Sequence, residues 1–377
     1  MGYAATMVTL HSTNGKLPVE NSPSLTCTLD QMGDPAWWSA LQPDAIILNL
    51  WSAPRYDAIR KAALKATPRV IERLDASGVR VTRTWPLQFL IECVGMERDK
   101  GRNVVLAWVL GTARALLYSI PAVMELPMAL TMAQLPYVVA ESPLAAARIE
   151  RHIRWHSNAP VRVAQISNPV YTKLMHYRSG DTKINALVAV GRWDTRQKDF
   201  PLLLATAVAF LSRHADWTFD IVGNGVTHHQ KLLDRVPPDV RERIHVHGSV
   251  PYEQLAEINR RAKIHFTSSR WEGFANASVE ALCCGCSYVG PNNLAGSSYL
   301  IENRSGTISS RRCRDDMLDA LVAEVEVWKT GRRDPTAIAE AWMDQSGYEQ
   351  VTRRTLALLE TIPAEKDHQT KMPPRTG

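Results

Sequence analysis

At 377 residues the chain exceeds what one hydrophobic core ordinarily organises, and it is expected to form two compact units. Apolar residues make up 45% and charged residues 22%, which excludes disorder of the whole chain, and six cysteines are too few for a disulfide scaffold and fit a reducing, cytoplasmic setting. The net charge of +6 is spread over both halves, so the concentrated basic patch of a nucleic-acid protein is missing and a mild pull toward phosphates or anionic lipid remains.

Met1 to Asn14 lacks the basic segment, apolar run and small-residue cleavage site of a secretory signal. DAIILNLW (44–51) reads as a strand before a helix over 56–66, and PRVIERLD (68–75) as another strand. The most apolar stretch, Val104 to Met124, is interrupted by Arg114 and flanked by Lys100, Arg102 and Glu125. It reads as a buried helix, or one lying on a membrane surface, rather than a span. PYVVAES (136–142) is a further strand, followed by the helix of SPLAAARIE (142–150). Pro169, Ser179, Gly180 and Asp181 interrupt both patterns and mark a linker over 168–183.

From Ile184 the pattern alternates regularly. Strands are expected at INALVAVG (184–191), WTFDIVG (217–223), IHVHG (244–248), KIHFTSS (263–269), SYVG (287–290) and GTISS (306–310). Helices are expected over 200–214, 229–235, 252–262, 277–284 and 315–329. Strands separated by helices imply a doubly wound α/β domain with a parallel sheet. The last fourteen residues, AEKDHQTKMPPRTG, have no apolar period and read as a disordered tail.

Three loops of this second half carry candidate chemistry. In SSRWEGFANASVEALCCG (268–285) a strand end, a loop with Glu272 and Gly273, and a helix start follow in order, which makes an anion site of backbone N–H groups. Glu280, on that helix, has the chemistry to accept both hydroxyl protons of a ribose diol; it equally fits a carboxylate serving the helix dipole. VGRWDTRQKDF (190–200) places Arg192 and Lys198 where both could reach one diphosphate, or where both are ordinary surface charges. GNG at 223–225 lets backbone approach a ligand closely, and is also a common turn. Cys283, Cys284 and Cys286 lack the second pair of a structural zinc site and read as small buried residues. Trp193 and Trp271 flank the two loops, available for stacking or for core packing.

Taken together and in this order, the loops resemble the GT-B nucleotide-sugar glycosyltransferases of family 4, which act with retention. The resemblance rests on Arg192 and Lys198 after the first strand of the second domain, IVGNG after the next, and the E-x7-E segment EGFANASVE from Glu272 to Glu280, and it covers residues 160–345 well. It implies two Rossmann-like doubly wound domains facing a cleft, with an abbreviated first domain. The boundaries are 1–172 on the acceptor side, 180–345 for the donor, a helix at 347–362 returning to the first domain, and a tail at 364–377.

The resemblance also implies roles. Arg192 and Lys198 would hold the donor diphosphate, Gly223 and Gly225 would line it, and Glu280 would hold the ribose. The transferred sugar would lie near Glu272 and the amides of Gly273, Phe274 and Ala275, with Asn276 beside them. No metal and no cofactor beyond the donor nucleotide sugar are expected, since two cations neutralise the diphosphate. Departures are concentrated in the first half. The glycine-rich loop of the family has no counterpart in MVTLHSTNGKLPVENS, and no histidine lies between His11 and His152. Arg73 and Asp75 occupy the place of the usual histidine, so Asp75 is a candidate to orient an acceptor hydroxyl or a cap for the next turn. Ala295 and Tyr299 replace a glycine and an acid.

The expected activity is hexosyl transfer from a nucleotide-diphosphate sugar to a carbohydrate or lipid-linked acceptor hydroxyl, in polysaccharide or glycolipid synthesis. A nucleotide-sugar-binding scaffold without transfer, or a GT-B epimerase or phosphorylase, is the alternative. No nucleic-acid partner is expected; a cytoplasmic location with peripheral contact at the inner membrane face is compatible with the basic-flanked stretch 100–124.

Overall fold

The computed structural model describes residues 7–10, 24–50, 56–74, 86–99, 101–119, 126–157, 162–292 and 305–364. The first half contains β1 (Met7–Leu10), β2 (Ser24–Cys27), α1 (Leu29–Met32), α2 (Pro35–Ala40), β3 (Ile46–Leu50), α3 (Asp57–Ala66), β4 (Val70–Leu74), α4 (Pro86–Asp99), α5 (Val104–Ser119), α6 (Leu126–Met132), β5 (Tyr137–Ala140), α7 (Pro143–His156) and β6 (Val163–Gln165). The strands β3-β4-β5-β6 form one parallel sheet in that order, and β1 and β2 form a separate parallel pair. β4 has no solvated face: Val70, Ile71 and Leu74 are buried, and so is Glu72. Burial of that carboxylate is offset by Arg60 of α3, whose Nε and Nη2 donate to both Glu72 oxygens.

The second half contains β7 (Ile184–Val190), α8 (Phe200–Leu211), β8 (Thr218–Val222), α9 (Gln230–Leu233), α10 (Pro238–Arg241), β9 (Ile244–Gly248), α11 (Tyr252–Arg261), β10 (Ala262–Phe266), α12 (Asn276–Cys283), β11 (Ser287–Pro291), β12 (Gly306–Ser309), α13 (Arg314–Lys329), α14 (Pro335–Ser346) and α15 (Tyr348–Glu360). All six strands are parallel, in the order β12-β11-β10-β7-β8-β9. The largely apolar sequence FPLLLATAVAFL of α8 packs on one face of the sheet beside α13, with Leu203 and Phe210 in one core with Met317 and Leu321. The opposite face carries α12 and α14 through Leu282, Cys283 and Trp342.

The two halves are tied at three places. Val170 bridges Gly347, its N–H donating to the Ser346 carbonyl at 2.7 Å. α15 returns to the first sheet, where Val351, Leu359 and Ile362 pack on Ile71, Val139 and Ile166. Arg69 Nε donates to the Ile362 carbonyl at 2.9 Å, and Arg73 Nη2 to that of Ser167 at 2.8 Å. Arg73 is therefore a strut between β4 and the connection, with its guanidinium also 3.4 Å from the Thr355 hydroxyl of α15. Among the described residues no helix is long and apolar enough to cross a membrane.

Candidate functional site

The chain runs β7-β8-β9 outward on one side of the second sheet and then returns to build β10-β11-β12 on the other. The order reverses between β7 and β10, so the loops leaving their carboxyl ends diverge to opposite faces and open a crevice between them. Lys198 lies on the first of these loops and Glu272 on the second. Their side chains meet: Lys198 Nζ donates to Glu272 Oε1 at 2.5 Å, with only 18% and 10% of the two side chains exposed. Gln197 Nε2 donates to the Trp271 carbonyl at 2.8 Å and to Glu272 Oε2 at 3.3 Å.

The backbone beneath the pair is braced. Arg270 N–H donates to the Gln197 carbonyl at 2.7 Å, and Ser268 Oγ donates to the carbonyls of Lys198 and Asp199. Asp199 has φ of +48°, a left-handed conformation strained for a residue with a side chain, and its carboxylate is held by Arg270 at 2.8 Å and by Arg312. Below them His265 is fully buried, and burial together with the Lys198 charge pushes its imidazole down to about 3, so it is neutral. The Tyr288 hydroxyl is equally buried; burial and the Glu272 charge push it well up.

The glycine loop makes room for the protein's own backbone. Gly223 and Gly225 have φ of +116° and +90°, and a Cβ on them would lie 1.9 Å from the Gly191 carbonyl oxygen and 2.4 Å from the Asp194 nitrogen. The backbone that approaches closely is the protein's own Arg192-bearing loop, which is fastened there by Trp193 N–H to the Asn224 carbonyl at 2.7 Å. Trp193 is 2% exposed, donates to the Val222 carbonyl and packs edge-on against Phe200, so it is a core residue and unavailable for stacking. Arg192 is exposed, and its guanidinium has no hydrogen-bond partner among the described residues.

After Glu272 the chain passes Gly273, the buried Phe274 and Ala275, and enters α12 at Asn276. Ala275 has φ of +63°, the second strained residue of the site. Among the described residues the amides of Gly273, Phe274, Ala275 and Asn276 have no acceptor, which leaves four consecutive donors at a helix start. Glu280, one turn further on, accepts from the Tyr252 hydroxyl at 3.0 Å. Burial pushes its carboxyl up to about 7, with the Tyr252 hydrogen bond pulling the other way. Asn276 also reaches the first sheet's carboxyl edge, because Asn168 Nδ2 lies 3.1 Å from Asn276 Oδ1 and 2.6 Å from Glu141 Oε1.

The structure thus joins Lys198 to Glu272 directly and places Arg192, Gly223 and Gly225 on loops fastened together. Glu280 lies on the helix that follows Glu272. Asp75, Ala295, Tyr299 and all but the first residue of the expected tail lie outside the described residues. Gln197, Tyr252 and Asn168 were not singled out from sequence; only Gln197, next to Lys198, carried a positional hint. Among the described residues no cluster of three or more His, Cys, Asp or Glu side chains could hold a metal ion. Cys283, Cys284 and Cys286 are buried where α12 meets β11, with Cys286 Sγ donating to the Asn259 carbonyl at 3.0 Å.

Two Rossmann-like domains with a site at the reversal point of the second sheet define the GT-B architecture of glycosyltransferases. The family described as Glycosyl transferases group 1 matches residues 184–326, which carry this site. The sequence matches no curated protein. Among solved structures the chain is similar to the pneumococcal O-GlcNAc transferase GtfA in complex with UDP and GlcNAc, with a TM-score of 0.59 and 12% identity over 87% of this chain and 59% of that one. It is similar to a UDP-forming trehalose-phosphate synthase from Burkholderia xenovorans (TM-score 0.60, 11% identity, 88% of this chain and 78% of that one). Anabaena HepE in complex with UDP gives 0.59 and 10% identity over 90% and 86%. At such identities the likeness establishes the fold. The chain spans 59% of the length of GtfA.

Proposed function

We propose that the protein is a glycosyltransferase that moves a sugar, with retention of anomeric configuration, from a nucleotide-diphosphate donor to a hydroxyl of a carbohydrate or lipid-linked acceptor in polysaccharide or glycolipid synthesis. The observation that carries this reading is the Lys198–Glu272 contact across the sheet's reversal point, followed in the chain by the four amides of 273–276, which have no acceptor among the described residues.

The departing group in such a transfer is a nucleoside diphosphate, so the chemical demand is to stabilise growing negative charge. Donors fixed by the surrounding structure meet it without reorganising. Lys198, Arg192 and the amides of 273–276 supply that positive potential, and no resident cofactor or metal enters the reading. Glu272 orients Lys198 and accepts from sugar hydroxyls, while Glu280 takes the ribose diol. Asp75 is the proposed partner of the acceptor hydroxyl. The domains are proposed as 1–172 and 180–345, and the location as the cytoplasmic side of a membrane with peripheral contact.

The test is incubation of the purified protein with UDP-, GDP- and ADP-sugars, with nucleoside diphosphate release and the anomer of the product read out. Slow donor hydrolysis that accelerates with an acceptor, giving an α-product from an α-donor, is the expected result. Binding without turnover of any donor under any acceptor would replace the transferase with a nucleotide-sugar-binding scaffold.

A further inference from the structure

The two acids of the E-x7-E segment are each met by a donor from another part of the second domain. Lys198 reaches Glu272 from the loop after β7, and the Tyr252 hydroxyl reaches Glu280 from α11, donating to Oε1 at 3.0 Å. Only the first of these pairs joins opposite charges. Tyr252 opens α11 directly after Pro251, whose ring fixes the backbone at the helix start. Its own ring packs against the apolar cluster that includes Val279 and Leu282 of α12. A hydroxyl on a ring packed in this way is held in place with few torsions left to order.

Glu280 needs such a partner. It is half-buried, and among the described residues no lysine, arginine or histidine pairs with it. Oε1 is engaged by Tyr252, while Oε2 has no hydrogen-bond partner among the described residues and keeps contact with solvent. Burial favours the neutral carboxyl and pushes it up to about 7, against the pull of the Tyr252 hydrogen bond. Among the described residues no charged group of α14, β10 or β11 acts on it. Tyr252 is itself pushed well up by burial and the Glu280 charge, and burial pushes the Cys283 and Cys284 thiols up beside it. These groups keep their protons, so Glu280 is the member of the cluster that titrates near neutrality. A phenol that keeps its proton donates more strongly to a carboxylate than to a carboxyl group, and so favours the charged form.

We infer that Tyr252 is a positioning residue of the nucleotide site, its hydroxyl holding the Glu280 carboxylate as the charged acceptor of the ribose hydroxyls. The inference rests on the reading of Glu280 as the ribose ligand and adds the residue that keeps it competent. Each carboxylate oxygen has two acceptor positions, so the bond from Tyr252 leaves Oε2 whole and one position on Oε1 for two vicinal hydroxyls. Preference for ribose over 2′-deoxyribose is then strongest above pH 7 and fades as Glu280 takes up a proton.

The experiment measures dissociation constants of UDP, GDP and ADP, each against its 2′-deoxy analogue, from about pH 5 to about pH 9. The proteins are wild type, Tyr252→Phe and Glu280→Gln. The ratio of the deoxy to the ribo constant cancels the titration of the phosphates. Phenylalanine keeps the ring in its cluster, and thermal unfolding checks that the fold is retained. In wild type the ratio is expected to fall as pH drops through about 7. In Tyr252→Phe the same fall is expected about one pH unit higher, so the ratio is about fivefold smaller at pH 7 and within about twofold of wild type at pH 9. Glu280→Gln is expected to give a small ratio that does not change with pH. A Tyr252→Phe curve that superimposes on wild type, or is lowered by one factor at every pH, overturns the inference and leaves the ribose reading intact. A wild-type ratio near one, or one that Glu280→Gln leaves unchanged, removes the ribose reading and the inference with it.

Discussion

Glu280→Gln separates the folding role of this residue from its proposed binding role, because the two respond in opposite directions. The carboxyl rises from an ordinary 4.5 to about 7 through burial. Its ionised form is therefore disfavoured in the folded state, and the burden is present above pH 7 and relieved as pH falls toward 4.5. At about 1.4 kcal/mol per pH unit, the difference amounts to about 3 kcal/mol at pH 8 and under about 1 kcal/mol at pH 5. Glutamine has the same shape, carries no charge and still accepts from Tyr252, so the variant is expected to be more stable by about that amount at pH 8 and nearly equal at pH 5. For a domain of this size that is a midpoint rise of roughly 6–12 °C at the higher pH. Nucleoside diphosphate affinity moves the other way, since an amide cannot accept from both ribose hydroxyls. Thermal unfolding of both proteins at pH 5 and pH 8, with and without nucleoside diphosphate, is the assay. A stability difference that does not change between the two pH values would refute the buried-carboxylate reasoning, and unchanged nucleotide affinity would refute the ribose assignment.

Lys198→Ala and Glu272→Ala are each expected to lower turnover by roughly a hundredfold to a thousandfold while the unfolding midpoint holds within a few degrees; transfer near the wild-type rate in both would remove the site assignment. Gly223→Ala forces a side chain into the space of the Gly191 carbonyl at a positive φ, so it should destabilise the second domain by more than about 2 kcal/mol and weaken nucleotide binding, read by denaturant unfolding and thermal shift. Arg60→Met leaves Glu72 charged and unpaired under the first sheet and should cost about 3–5 kcal/mol at neutral pH, narrowing as the carboxyl protonates; a loss independent of pH would show that packing, not charge, is what Arg60 supplies.

Much of the second domain is a local property of its sequence. Strands such as INALVAV and TFDIV and the wholly apolar α8 declare themselves through periods of two and 3.6 and through the turn residues between them. The order of candidate loops along the chain, and the seven-residue gap from Glu272 to Glu280, are likewise readable without coordinates. What no local pattern contains is adjacency. That β10 lies beside β7, so that Lys198 reaches Glu272 across 74 residues of chain, follows from the reversal of strand order. The same dependence on packing turned Trp193 into core, made Gly223 and Gly225 room for a neighbouring loop, and drew Arg73 to the interdomain connection. The apolar run from Val104 left a buried helix and a surface helix equally open. The tertiary structure decided for exposure, because close packing against α4 needs small residues inside and leaves the large ones exposed. Periodicity is set by bonds along the backbone, whereas a site is made by contacts between distant segments, and only the folded chain specifies which segments touch.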